Sequence, residues 1–88
     1  MLYMVVERLK DARAIYKRFR EEGRMMPDGL KYVSSWIDRD FKTCWQLMES
    51  DDEKLFRQWT DAWSDLMEFE ITPVRSSVEV VELMSRPD

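Results

Sequence analysis

Residues 30–48 read Leu30-Lys31-Tyr32-Val33-Ser34-Ser35-Trp36-Ile37-Asp38-Arg39-Asp40-Phe41-Lys42-Thr43-Cys44-Trp45-Gln46-Leu47-Met48. Leu30 to Ile37 is rich in β-branched and aromatic residues, and so is Phe41 to Met48. Such residues favour strands because they pack well on a pleated surface. Asp38-Arg39-Asp40 is a polar tip between the two runs. Together they predict a β-hairpin, although the turn lacks the favoured Asn-Gly pair.

The segments on either side decide what the hairpin belongs to. Before it, Leu2-Tyr3-Met4-Val5-Val6 predicts a strand. Asp11 is placed to cap a helix that carries Ala12, Ile15, Tyr16 and Phe19 at helical spacing. Gly23 is a natural stop, and Pro27-Asp28-Gly29 supplies a turn. After the hairpin, Ser50-Asp51-Asp52-Glu53 has the pattern of a capping box. An apolar stripe follows through Leu55, Phe56, Trp59, Ala62, Trp63 and Leu66. Met67 to Val74 predicts the last strand, and Pro73 places its end at a sheet edge. Ser76 and Glu79 open a short helix through Val80, Val81 and Met84. The order is β-α-β-β-α-β plus a terminal helix. This predicts an α+β, ferredoxin-like antiparallel sheet in one domain spanning residues 1–88.

Composition narrows the chemistry. The chain has 88 residues, 14 Lys and Arg, 18 Asp and Glu, no His and one Cys, for a net charge of −4. An acidic balance disfavours nucleic-acid binding. The missing His removes His-based catalytic triads, zinc-His sites and His-ligated haem. A single Cys excludes an internal disulfide and fits a reducing compartment. The apolar run Leu2 to Val6 is too short for a signal peptide or a membrane span. A soluble cytoplasmic protein without membrane contact is expected. Asp51-Asp52-Glu53 is consecutive and explained by capping, so no metal site is expected. Phosphate-loop, nucleophile-elbow and zinc-protease motifs do not occur.

Side chains alternate across strands, so each strand divides between two faces. Met4, Val6, Val33, Ile37, Trp45, Leu47, Phe69 and Ile71 make one almost purely apolar set, expected beneath the helices. The other set mixes Tyr3, Val5, Tyr32, Trp36, Cys44 and Met48 with Glu7, Ser34, Gln46, Glu68, Glu70 and Thr72. Large apolar groups on an open face mark an interface or a ligand site. A homodimer through this open face, with a pocket left inside, is therefore expected.

A likeness to a known family is carried by the opening Met1-Leu2-Tyr3-Met4-Val5-Val6-Glu7 and by Tyr16-Lys17-Arg18-Phe19-Arg20. Gly23-Arg24-Met25-Met26-Pro27-Asp28-Gly29-Leu30, Tyr32-Val33-Ser34-Ser35-Trp36, Cys44-Trp45-Gln46-Leu47-Met48-Glu49 and Trp63-Ser64-Asp65-Leu66 complete it. The chain resembles a bacterial family of domains of unknown function, each of roughly ninety residues. By fold it resembles the dimeric α+β barrel superfamily, in which two ferredoxin-like sheets face each other around a pocket. That superfamily includes cofactor-free monooxygenases, isomerases, stress-responsive proteins and haem enzymes. The resemblance implies a dimer and a pocket but supplies no catalytic residues. Fold alone does not carry function.

Candidate residues follow from the mixed face. Glu7 and Glu70 would serve as general acid or base if an apolar cavity raised their pKa; otherwise they pair with Arg or face solvent. Tyr3, Tyr32 and Trp36 would stack on a planar ligand or pack between subunits. Ser34 and Gln46 would orient its polar groups, and Arg24 would gate the pocket or clamp an anion. Cys44 is expected to be a structural thiol. Lys10, Arg13, Lys17, Arg20 and Arg24 form a helical stripe, read as a solvated face. Trp59 and Trp63 are expected in the core. The function expected is a small-molecule pocket protein without cofactor, either a monooxygenase or isomerase of an aromatic or enolisable compound. The alternative is a non-catalytic ligand- or protein-binding module. RNA binding on the sheet aromatics is opposed by Glu7, Glu68 and Glu70.

Overall fold

A computed structural model describes residues 1–87. The elements are β1 (Leu2–Leu9), α1 (Ala12–Glu22), β2 (Lys31–Ile37), β3 (Thr43–Glu49), α2 (Lys54–Asp61), β4 (Met67–Val74) and α3 (Ser77–Met84). Four antiparallel strands form one sheet in the order β2-β3-β1-β4, consistent with a ferredoxin-like arrangement. Among the described residues no helix is long and apolar enough to cross a membrane.

Local chemistry sets most boundaries. The Asp11 carboxylate accepts the Ala14 amide at 3.1 Å, and Gly23, at φ 69°, closes α1 by donating to the Phe19 carbonyl. The hairpin turn is held by Asp38 in place of an Asn-Gly pair. Its carboxylate accepts the amides of Lys42 and Thr43 at 2.8 and 3.1 Å, which holds its pKa below the usual value. Phe41 takes φ 58° to close that turn. The Ser76 hydroxyl accepts the Glu79 amide at 3.1 Å, so this predicted cap forms. The box at Ser50 does not. Ser50 is buried and bonds to Asp52, while the Glu53 carboxylate accepts the Tyr3 hydroxyl at 3.0 Å. The predicted second helix also ends early. After Asp61 the chain tightens into turns, with Trp63 donating to the Thr60 carbonyl and Leu66 to that of Trp63.

Helices α1 and α2 lie on one side of the sheet. The core beneath them contains Tyr3, Val5 and Met48 from the sheet, Ile15 from α1, and Phe56, Trp59 and Trp63 from α2 and its trailing turn. Each such side chain contributes about 1.5–3 kcal/mol by burial. Arg18 ties α1 to that turn, donating to both Asp65 carboxylate oxygens at 2.8 and 2.7 Å and to the Ala62 carbonyl at 3.0 Å.

This reverses the expected faces. Met4, Val6, Trp45 and Leu47 lie on the open face, and Tyr3, Val5, Glu7, Gln46 and Met48 lie under the helices. The reversal applies to β1 and β3, not to β4. Phe69 pairs with Glu7 and Ile71 with Val5, so both lie on the helix face expected for them. An irregularity between Tyr32 and Ser34 leaves Val33 without a partner. Beyond it Ser35 pairs with Gln46, on the helix face, whereas Ser34 pairs with Leu47 and Trp36 with Trp45 on the open face.

Gly29 has φ 94°, and a methyl group added there would meet Leu55 Cδ1 at 3.0 Å. Gly29→Ala is expected to cost about 1–2 kcal/mol, from both the backbone and the contact. Gly23 has φ 69° and ψ −158°, a region essentially reserved for glycine, so Gly23→Ala costs about 1–3 kcal/mol from the backbone alone although the space around it is open. Urea midpoints test both costs: each variant should unfold at a lower urea concentration than the wild type.

Candidate functional site

A cavity of about 310 Å³ lies between the helices and the sheet. The sheet contributes Glu7 from β1, Cys44 and Gln46 from β3, and Ser35 from β2. Ile15, Tyr16 and Phe19 of α1 form the outer wall, and Trp59 and Trp63 close the far side. Strand alternation places Glu7, Cys44 and Gln46 inward on adjacent strands, since Glu7 and Cys44 are register partners.

Glu7 is 4% exposed in surroundings that are mostly apolar. Burial raises its pKa to about 7, while the Cys44 thiol and the more distant charge of Arg24 pull it partly back. The carboxyl group is therefore about half ionised near neutrality. Burial, with the Glu7 charge beside it, pushes the Cys44 thiol up to about 12. Cys44 consequently stays protonated and is no nucleophile at ordinary pH. Tyr16 is also shifted upward, by burial and then by Cys44 and Glu7. The buried Gln46 amide donates to Met48 Sδ at 3.2 Å.

Arg24 reaches the site from the loop after α1, not from the helical stripe. Its carbonyl accepts both indole N–H groups, from Trp59 at 3.1 Å and Trp63 at 3.0 Å. Gly23 and Met25, at φ 69° and 55°, bend the chain to present that carbonyl. Its guanidinium lies 3.8 Å from the centre of the Tyr32 ring and 5.0 Å from that of Phe19. Tyr32 and Ser35 share a hydrogen bond of 2.7 Å at this mouth.

Of the residues proposed from sequence, the structure brings together Glu7, Gln46 and Arg24, with Tyr32 at the rim. Four others lie elsewhere. Glu70 projects from the open face, where Arg8 pairs with it at 3.5 Å. Ser34 and Trp36 are on that same face. Tyr3 packs its ring 4.6 Å from that of Phe56, away from the cavity. Sequence reasoning missed Ser35, which the bulge turns inward, and Tyr16 and Phe19, whose spacing with Ile15 was visible. Trp59 and Trp63 are buried as expected, but they also lock Arg24 in place.

The architecture is thus that of a small α+β domain with a ferredoxin-like strand order and an interior cavity carrying one buried carboxyl group and one cation. The chain belongs to the family described as Domain of unknown function (DUF3303), whose profile it matches over residues 1–87. No curated protein and no solved structure shows significant similarity to it.

Proposed function

We propose that the cavity binds a small organic molecule and that Glu7 exchanges a proton with it, in a protein that works as a homodimer. The observation that carries this is Glu7 itself: among the described residues, the one buried carboxyl group, set on a cavity wall and poised near neutral pH. A carboxylate in such surroundings can take a proton from a carbon beside a carbonyl. The electron pair of that C–H bond then moves into the carbonyl as an enolate, and Glu7 returns the proton to another carbon. Gln46 and Ser35 supply neutral hydrogen-bonding groups on the same wall. No cofactor enters this step. The same proton removal opens an isomerisation or, with molecular oxygen as co-reactant, an oxygenation. A free, half-buried thiol is compatible with a cytoplasmic location.

The open face supports the dimer. It carries Trp36 at 56% and Trp45 at 40% exposure, beside Met4, Val6 and Leu47. α3 buries none of its residues, and Val78, Val81 and Met84 stand out in solvent. A compact monomer of this mass exposes about 5,500 Å², whereas this chain exposes 6596 Å². Its radius of gyration is 15.0 Å, against about 12 Å for a compact chain of this length. The excess surface is of the size one partner contributes to a standard interface. Two copies meeting open face to open face, in the manner of a dimeric α+β barrel, would bury it.

The reaction is tested with 2-tetralone, a neutral enolisable ketone. The protein should speed solvent deuterium uptake at its α-carbons, and Glu7→Gln should lose about 100-fold or more of that excess rate. Binding with equal uptake by both proteins would make the domain a binding module. Neither binding nor uptake would overturn the proposal.

A further inference from the structure

Arg24 carries an inference that rests on the pocket reading and deepens it. Its side chain lines the cavity and is half-buried. Among the described residues it has no carboxylate within 4.0 Å; Arg13, Arg20, Arg39 and Arg57 also lack one, but they are exposed, whereas Arg24 is the arginine that lines this cavity. Glu7 is near enough to feel its charge but forms no ion pair with it. The guanidinium is flattened against Tyr32 and flanked by Phe19, and its backbone is fixed by two indole donors. A stacked guanidinium keeps its edge N–H groups free for a planar, two-oxygen acceptor.

We propose that the cavity selects a small planar organic acid, its carboxylate on the Arg24 guanidinium and its ring body against Trp59, Trp63, Ile15 and Phe19. A phosphate ester suits the site less well, because one cation stands where a dianion calls for several donors. A one- or two-ring acid suits both the volume and the aromatic lining. Its carbon skeleton then lies between the cation and Glu7, so one group anchors the substrate and the other handles the proton. Glu7 faces the Cys44 thiol from β3, Tyr16 from α1 and Arg24 from the loop. When Glu7 ionises it competes with the ligand for the field of Arg24. The acid should therefore bind more weakly as pH rises through about 7.

The test compares 1-naphthoate with its neutral analogue 1-naphthamide, read by calorimetry at pH 6. The wild-type protein should bind the acid at least about tenfold tighter than the amide. Arg24→Gln should erase the preference by weakening the acid at least about tenfold more than the amide, with the circular dichroism kept, since the carbonyl held by the two indoles belongs to the backbone. Equal binding of acid and amide by the wild type would overturn the anion assignment and leave the pocket standing. Binding of neither would overturn both.

Discussion

Glu7→Gln should make the protein more stable above pH 7, by about 1–3 kcal/mol, with a rise in melting temperature on the order of 10 °C. The direction follows from linkage. An unfolded Glu titrates near 4.5, whereas the folded Glu7 holds its proton to about 7. Between those values the native state binds more protons than the unfolded one, so stability falls as pH rises. The loss begins near pH 4.5 and is complete above about pH 7, amounting to about 3 kcal/mol for a shift of that size. Gln carries no charge to desolvate and removes the slope, but it also gives up the attraction to Arg24. The net gain is accordingly smaller than the full shift.

Other carboxyl groups do not obscure this window. Asp38 and Asp65 have lowered pKa values, from the Lys42 and Thr43 amides and from Arg18 respectively. Their contributions are present above the ordinary Asp pKa and are lost as pH falls through the still lower folded value, well below the Glu7 range. The wild-type profile should therefore peak near pH 4 and decline on both sides. Guanidinium unfolding from pH 3 to pH 9 measures it. A flat profile between pH 5 and 8, or parallel curves for wild type and variant, would remove the buried acid from the account. Stability given up at a cavity wall is the usual mark of a group kept for chemistry.

The element order was legible because each boundary had a local cause. Asp11, Gly23, Ser76 and Pro73 act over a few residues, and all four lie where their chemistry placed them. The choice of face was not local. Met4, Val6, Trp45 and Leu47 form a more apolar set than Tyr3, Glu7, Gln46 and Met48, so hydrophobicity alone puts them inside. The helices decide otherwise. Phe56, Trp59 and Trp63 fill much of the core themselves and leave a gap over the sheet that polar groups can line. A site therefore reads from the sequence as the wetter face, although it is buried. The unpaired Val33 added to the error, because one extra residue reverses the alternation and exchanges Ser34 for Ser35. Glu70 keeps the open face expected for it, but β1 and β3 turn their other faces to the helices, so Glu7 and the cavity end up on the opposite side of the sheet from it.

The exchange of faces sharpens the expectation for assembly. The outward set is the more apolar of the two, so more is gained by covering it than the sequence alone implied. The protein should sediment as a dimer at micromolar concentration, and Trp45→Glu should convert it to a monomer. Trp45 sits on β3 opposite both Val6 and Trp36, near the middle of the apolar patch. In the isolated chain it is 40% exposed, so a Glu there reaches water and the fold survives. In the dimer the same Glu would be buried against a second apolar face without a partner. A central Trp is worth about 2–4 kcal/mol at an interface, and an unpaired charge adds to that loss. Association should weaken by a factor of about 1,000 or more in affinity. The Glu variant should keep its circular dichroism and its affinity for 1-naphthoate, because Trp45 does not line the cavity. A wild-type protein that sediments as a monomer at 100 micromolar would refute the open-face dimer. A variant that remains dimeric would move the contact to α3, whose apolar side chains are the other large surface left uncovered.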